Sequence, residues 1–215
     1  MKKYVLLVGF LSSAVATYAQ GQLGIQVSPA ISFNRMYTDP NNQGFSPAGA
    51  AFGFQVGAIY DYLIQENYYI STGLSYVYQH IALKNEKSSP NILEKHTLNY
   101  FKVPLLLKLY TSELMLDTRL YAALGFLVQL RVKARNIELQ EDWSKPFIEA
   151  FRRWGLAGLV GVGIEYDTSL STSIFAGISY QLGLSNVIDK HAQHPSTLPV
   201  KGYGHLVSLD LGAKF

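Results

Sequence analysis

The chain has no cysteine, which excludes disulfides, thiolate catalysis and thiolate metal centres. It is also short of charge: Lys and Arg number 18, and Asp and Glu 15, among 215 residues, for a formal net charge of +3. Removing Lys2 and Lys3 with the leader described below leaves 16 basic groups against 15 acidic ones, or +1. That near-balance lacks the basic excess of a nucleic-acid binder, so no nucleic acid is expected as a partner. Beyond the N-terminus no apolar run is long enough for a membrane helix. Abundant instead are tyrosine, glycine and phenylalanine, with 15, 18 and 11 copies.

Met1-Lys2-Lys3 precedes an apolar run from Tyr4 to Ala16, and Thr17-Tyr18-Ala19 offers small residues at the cleavage positions. This is the layout of a secretory signal peptide, residues 1–19, cut before Gln20. No cysteine follows the run, so lipoprotein anchoring there is excluded. Residues 20–215 form one exported domain.

Within that domain the dominant pattern is alternation. From Arg119 to Lys133, Leu120, Ala122, Leu124, Phe126, Val128, Leu130 and Val132 share one side, and Arg119, Tyr121, Ala123, Gly125, Leu127, Gln129, Arg131 and Lys133 share the other. Successive side chains of a strand point to opposite faces. A helical spacing through Leu116, Leu120, Ala123, Leu127 and Leu130 fits this stretch too, so its neighbours decide. They alternate as well: Leu23–Phe33, Phe52–Tyr62 (with Ile59 an apolar exception on the polar side), Tyr68–Gln79, Leu98–Tyr110, Trp154–Tyr166, Ser173–Gly183 and Gly204–Phe215. Pro104 falls inside one of them; without an N–H to donate it allows a bulge, and the register beyond it is left open.

Eight strands result. Longer polar connections at 36–50, 82–95, 134–152 and 185–203 alternate with short ones at 65–67, 111–117 and 167–169. In the third long loop Phe147, Ile148, Phe151 and Trp154 fall at helical spacing, so a short amphipathic helix near the rim is expected. The fold class is all-β: an eight-stranded antiparallel transmembrane β-barrel with short periplasmic turns and longer extracellular loops. A soluble barrel would hide its apolar face and show its polar one. Here the polar set is mostly Gly, Ser, Ala and Gln, which suits a crowded interior. Aromatics gather at both strand ends, with Tyr60, Tyr62, Tyr68, Tyr166 and Phe215 near the short turns and Tyr76, Tyr78 and Trp154 near the long loops. Two such girdles mark membrane interfaces. Arginine at Val160 or Leu124 should therefore disrupt assembly, and the same change at Ser179, on the inner face, should be milder.

The run Tyr100-Phe101-Lys102-Val103-Pro104-Leu105-Leu106-Leu107-Lys108 resembles the Y-x-x-[IV]-P-L-L-L-K strand of the Bacteroidota outer-membrane β-barrel family (porin-family or PorT-like proteins). The leader ending Tyr18-Ala19-Gln20, the strand Gly161 to Tyr166 and the strand Ser179 to Leu184 are similar to that family too, so the resemblance covers essentially the whole mature chain. It implies an outer-membrane barrel, with outer-membrane lipid and lipopolysaccharide around it. The terminal Phe215 resembles the last residue of the strand that the barrel-assembly machinery recognises. The PorT-like member is linked to type IX secretion, which makes secretion or gliding proteins candidate partners.

The expected lumen charges near the short turns are Asp61, Lys108, Arg119, Glu165 and Asp210. Both signs occur at similar depth, so they read as a paired plug or as an ion path. Lys102, Arg131, Lys133 and Arg153 lie toward the outer end, as a basic mouth for an anionic ligand or as solvated charge. Eight strands leave a bore just wide enough for side chains, so a wide pore is excluded. Catalysis would draw on His80, His96, His191, His194 or His205 with Ser88, Ser89, Ser185 or Asp189, all on the outer side, but no pair sits in a recognised motif. His191 and His194 are too few for a metal. The expectation is a structural or partner-binding envelope protein with a filled lumen, without catalysis, cofactor or metal. A secretion component, a narrow channel and a lipid-modifying enzyme are the alternatives.

Overall fold

The computed structural model describes residues 21–37, 45–47, 50–85, 92–136, 153–169, 171–185 and 201–215, with side chains described in these except at 34–37, 45–47, 80–85, 92–98, 133–136 and 201–202. The expected signal peptide, residues 1–19, and the expected helix before Trp154 lie outside the described residues.

Nine strands are described: β1 (Gly21–Tyr37), β2 (Phe45–Pro47), β3 (Ala51–Gln65), β4 (Tyr68–Asn85), β5 (Ile92–Tyr110), β6 (Thr118–Asn136), β7 (Trp154–Ser169), β8 (Thr172–Gly183) and β9 (Lys201–Lys214). Eight of them, all but β2, form a closed antiparallel barrel. Each pairs with its neighbour in sequence, and β1 pairs with β9 to shut the ring. Closure leaves no open edge, so the spanning strands pair on both sides, which a bilayer requires of a sheet. At the seam the Phe215 amide donates to Leu23 O at 2.7 Å and the Leu23 amide to Phe215 O at 3.3 Å.

The faces follow the alternation. Leu120, Leu124, Phe126 and Val128 of β6 and Val160, Val162 and Ile164 of β7 are exposed outward, while Tyr121, Ala123, Leu127, Ala157 and Leu159 are buried inward. Ile59, the exception in its strand, is inward and packs with Tyr110, Tyr121 and Phe175. Trp154 and Tyr166 lie twelve residues apart on β7. At ~3.3 Å per residue and a tilt of about 40°, they stand roughly 30 Å apart along the membrane normal, close to a hydrocarbon core.

One expectation is corrected and one open point is resolved. The strands are longer than the apolar segments: β4 and β5 stay paired as far as Asn85 and Ile92, and β2 pairs with Leu83–Asn85 of β4. Much of the expected loop 82–95, and part of 36–50, is therefore ladder. Backbone pairing does not require apolar side chains, so a hairpin can continue past the bilayer after the hydropathy signal ends. The register past Pro104, left open by the sequence, is unshifted. The β4–β5 pairing lapses between Thr72–Leu105 and Ser75–Lys102, then resumes unshifted. The proline has no N–H to give, while its carbonyl accepts from Thr72 Oγ1 at 2.9 Å. The β5–β6 pairing does shift, at Asn99/Tyr100, where Val132 of β6 is left without a partner residue on β5.

Candidate functional site

The lumen near the short turns is crossed by a charge cluster. Lys108 on β5 donates to both Asp61 oxygens on β3, at 3.1 and 2.8 Å. Lys214 on β9 lies 2.8 Å from Asp61 Oδ2, forms an ion pair with Glu165 Oε2 on β7, and donates to Tyr110 Oη at 2.8 Å. Tyr110 donates to Glu165 Oε2 at 2.7 Å, and Ser173 donates to Oε1 at 2.9 Å. An ammonium has three donors, and Lys214 has three partners for them. Every second strand around the barrel, β3, β5, β7 and β9, supplies one charge, so the quartet braces the walls across the bore. Asp61, Glu165 and Lys214 are each at most 1% exposed.

Of the five expected lumen charges, Asp61, Lys108 and Glu165 meet in this cluster. Arg119 joins at its rim, 3.2 Å from Asp167 and 3.6 Å from Glu165, with its guanidinium over the Tyr110 ring. Asp210 does not join; it lines a separate chamber described below. Lys214, Tyr110 and Asp167 are the members that sequence reasoning missed. The signal for Lys214 was present, since it shares the inner parity of Ser208 and Asp210.

Aromatic rings and glycines fit together around the quartet. Lys108 lies 5.6 and 5.8 Å from the Tyr121 and Phe175 ring centroids, and Lys214 lies 5.3 and 5.7 Å from those of Tyr110 and Phe175, which adds cation–π attraction in a dry setting. The Tyr121 ring occupies space that only glycine leaves free: a Cβ at Gly177 would sit 2.5 Å from Tyr121 Oη and 2.8 Å from Val162 O. Gly177→Ala is therefore expected to cost about 1–3 kcal/mol through overpacking, read as a lower urea midpoint of the barrel in lipid vesicles. An unchanged midpoint would mean that Tyr121 swings clear at no cost.

Beyond the quartet lies a chamber of about 50 Å³, lined on one side by Leu106, Leu127 and Leu159 and on the other by Gln26, Gln55, Ser75, Ser179, Gln181 and Asp210. Lys102 points into it and donates to Gln181 Oε1 at 2.7 Å. It is 4% exposed, so the expectation of a solvated charge at the outer mouth is corrected for this residue. Lys102 sits six residues from Lys108 on the same inner face, well inside the bore. Arg131 is half-buried and Arg153 exposed; the Arg131 amide donates to Arg153 O at 2.8 Å. The Lys133 side chain lies outside the described ones.

On the outer face Tyr62, Tyr68, Tyr76, Tyr78, Trp154, Tyr166 and Phe215 are exposed, and Tyr60 is half-buried. The candidate catalytic groups do not assemble among the described residues. His205 clusters with the rings of Phe33 and Tyr180 and shares a 2.8 Å hydrogen bond with Tyr180, and Ser185 Oγ bonds to the Leu156 backbone. The His80 and His96 side chains, His191, His194, Ser88, Ser89 and Asp189 lie outside what is described. Among the described residues no three His, Asp or Glu side chains form a metal-binding group.

Residues 18–189 match the family described as outer membrane protein beta-barrel domain. The chain belongs to this family. Similar solved structures of outer-membrane barrels include OprG of Pseudomonas aeruginosa, with 14% identity, 91% of this chain and 97% of that chain covered, and a TM-score of 0.47. Neisserial surface protein A has 15% identity, 90% and 97% coverage and a TM-score of 0.45. Ail of Yersinia pestis has 16% identity, 91% and 99% coverage and a TM-score of 0.37. Each likeness is one of fold alone. The curated proteins give no match. Membership makes this an outer-membrane β-barrel, and the structure gives it eight barrel strands.

Proposed function

We propose that this outer-membrane barrel is a structural or partner-binding envelope protein that works through its rims and outer face and performs no catalysis. The observation that carries this reading is the quartet. Asp61, Lys108, Glu165 and Lys214 close the bore with one another's charges, packed among Tyr110, Tyr121 and Phe175. Side chains that meet across the bore in this way oppose the passage of solutes. The natural surroundings are outer-membrane lipid and lipopolysaccharide, reached after signal-peptide cleavage near Ala19, and assembly proceeds through the C-terminal strand ending at Phe215. Purified barrel in a planar bilayer is expected to show no steady conductance. A stable ohmic conductance of the unaltered protein would overturn the reading in favour of a channel.

A second reading, a PorT-like accessory role in type IX secretion or gliding, is favoured by the Tyr100–Lys108 motif. Its even positions point inward. Tyr100, Lys102, Pro104 and Lys108 are buried, and Leu106 packs against the buried cluster of Ala123, Leu127, Ala157 and Leu159. The motif thus carries the quartet's lysine together with the shape of the wall around it. Affinity purification of the tagged protein from its own outer membrane distinguishes the two readings. Secretion or gliding proteins in stoichiometric amount would place it in a machine; a lone barrel would leave the structural role.

A further inference from the structure

We propose that the chamber beside the quartet is a water-binding site, in which a small cluster of water joins Asp210 to Lys102 as a water-separated ion pair. The chamber holds about 50 Å³. One water needs roughly 10–15 Å³ of such space, so about three or four fit. Two buried oxygens on its wall have no hydrogen-bond partner among the described residues: Asp210 Oδ1 and Gln55 Oε1, the latter on a side chain that is 8% exposed. Lys102 Nζ gives one bond, to Gln181, and an ammonium carries two further donors. Acceptors without donors, a donor with spare capacity and a polar void between them are the conditions under which bound water is retained.

Charge decides between water and a metal cation. Asp210 is matched in the chamber by Lys102, and Lys108 at its floor is matched by Asp61. An added cation would meet no net negative charge. The apolar wall of Leu106, Leu127 and Leu159 offers no competing acceptor, so the water orders along the polar wall. The bore then has two unlike parts: a dry, directly paired quartet and a hydrated section whose opposite charges are bridged by solvent. This goes beyond the envelope role proposed above and does not depend on it.

The test is a crystal structure of the full barrel at a resolution that shows water, from crystals grown in rubidium chloride, alongside the Asp210→Leu and Asp210→Asn variants. Three or four peaks within hydrogen-bonding distance of Asp210 Oδ1, Gln55 Oε1 and Lys102 Nζ, without rubidium anomalous signal, are expected. Those at residue 210 should persist in Asp210→Asn and be lost in Asp210→Leu. A rubidium peak would make this a cation site. Lys102 swung into direct contact with Asp210 over an empty chamber would make it an ordinary ion pair. Either result overturns the proposal. Should Asp210→Leu fail to fold, water-to-side-chain cross-relaxation at the Gln55 amide of the unaltered barrel gives the same decision by its presence or absence.

Discussion

Replacing Lys214 by methionine is expected to destabilise the folded barrel by about 3–5 kcal/mol, the usual cost of removing one partner from a buried charge cluster. Methionine keeps most of the side chain's volume and apolar contact, so the loss reports charge rather than a cavity. Asp61 keeps Lys108 as its counter-ion. Glu165 fares worse: it retains hydrogen bonds from Tyr110 and Ser173, but its nearest remaining cation is Arg119 at 3.6 Å, on a side chain that is partly in water. Adding Glu165→Gln to Lys214→Met should therefore recover part of the loss, since a neutral amide needs no counter-charge. Urea titration in lipid vesicles, followed by tryptophan fluorescence, measures both variants. A cost below about 1 kcal/mol for Lys214→Met, the range of exposed pairs, would mean that water reaches the quartet.

This experiment also marks where the sequence stops being legible. The faces of each strand could be read from residue parity alone, because a lipid exterior and a packed lumen impose opposite demands on neighbouring positions. Strand number and the order of long and short connections followed from the same pattern. Contacts across the bore did not. Whether Asp61 meets Lys108, Lys214 or Lys102 depends on the stagger between strands, which closure of the barrel sets and no single strand reveals. Asp210 and Lys102 show the consequence. Each is on the inner face, as its parity requires, yet Asp210 lies apart from the quartet and Lys102 far deeper than a mouth residue. Pro104 shows a different limit. A missing donor predicts an interruption, but the ladder could either shift or skip, and here it skips because the strands on both sides hold their register.

The outer face carries the other large expected effect. Val160 lies midway between Trp154 and Tyr166 on β7, pairs with Leu124 of β6, and both are outward, 49% and 60% exposed. Arginine at Val160 should cost roughly 2–4 kcal/mol, falling to about 0–1 kcal/mol near the interface at Tyr166. Substituting Val160, Val162, Ile164 and Tyr166 by arginine in turn gives a depth profile along one outward line. Ser179→Arg, which parity alone would make the mild control, is not one: Ser179 is buried, shares a 2.8 Å hydrogen bond with Ser208, and borders a chamber of about 50 Å³ with no room for a guanidinium. The informative comparison therefore stays on the outer face, where all four side chains are exposed and packing changes least. A cost that declines from Val160 to Tyr166 is the signature of a bilayer. A flat profile in vesicles would mean that this face does not meet lipid along its length, and that the spacing of the aromatic girdles has another cause.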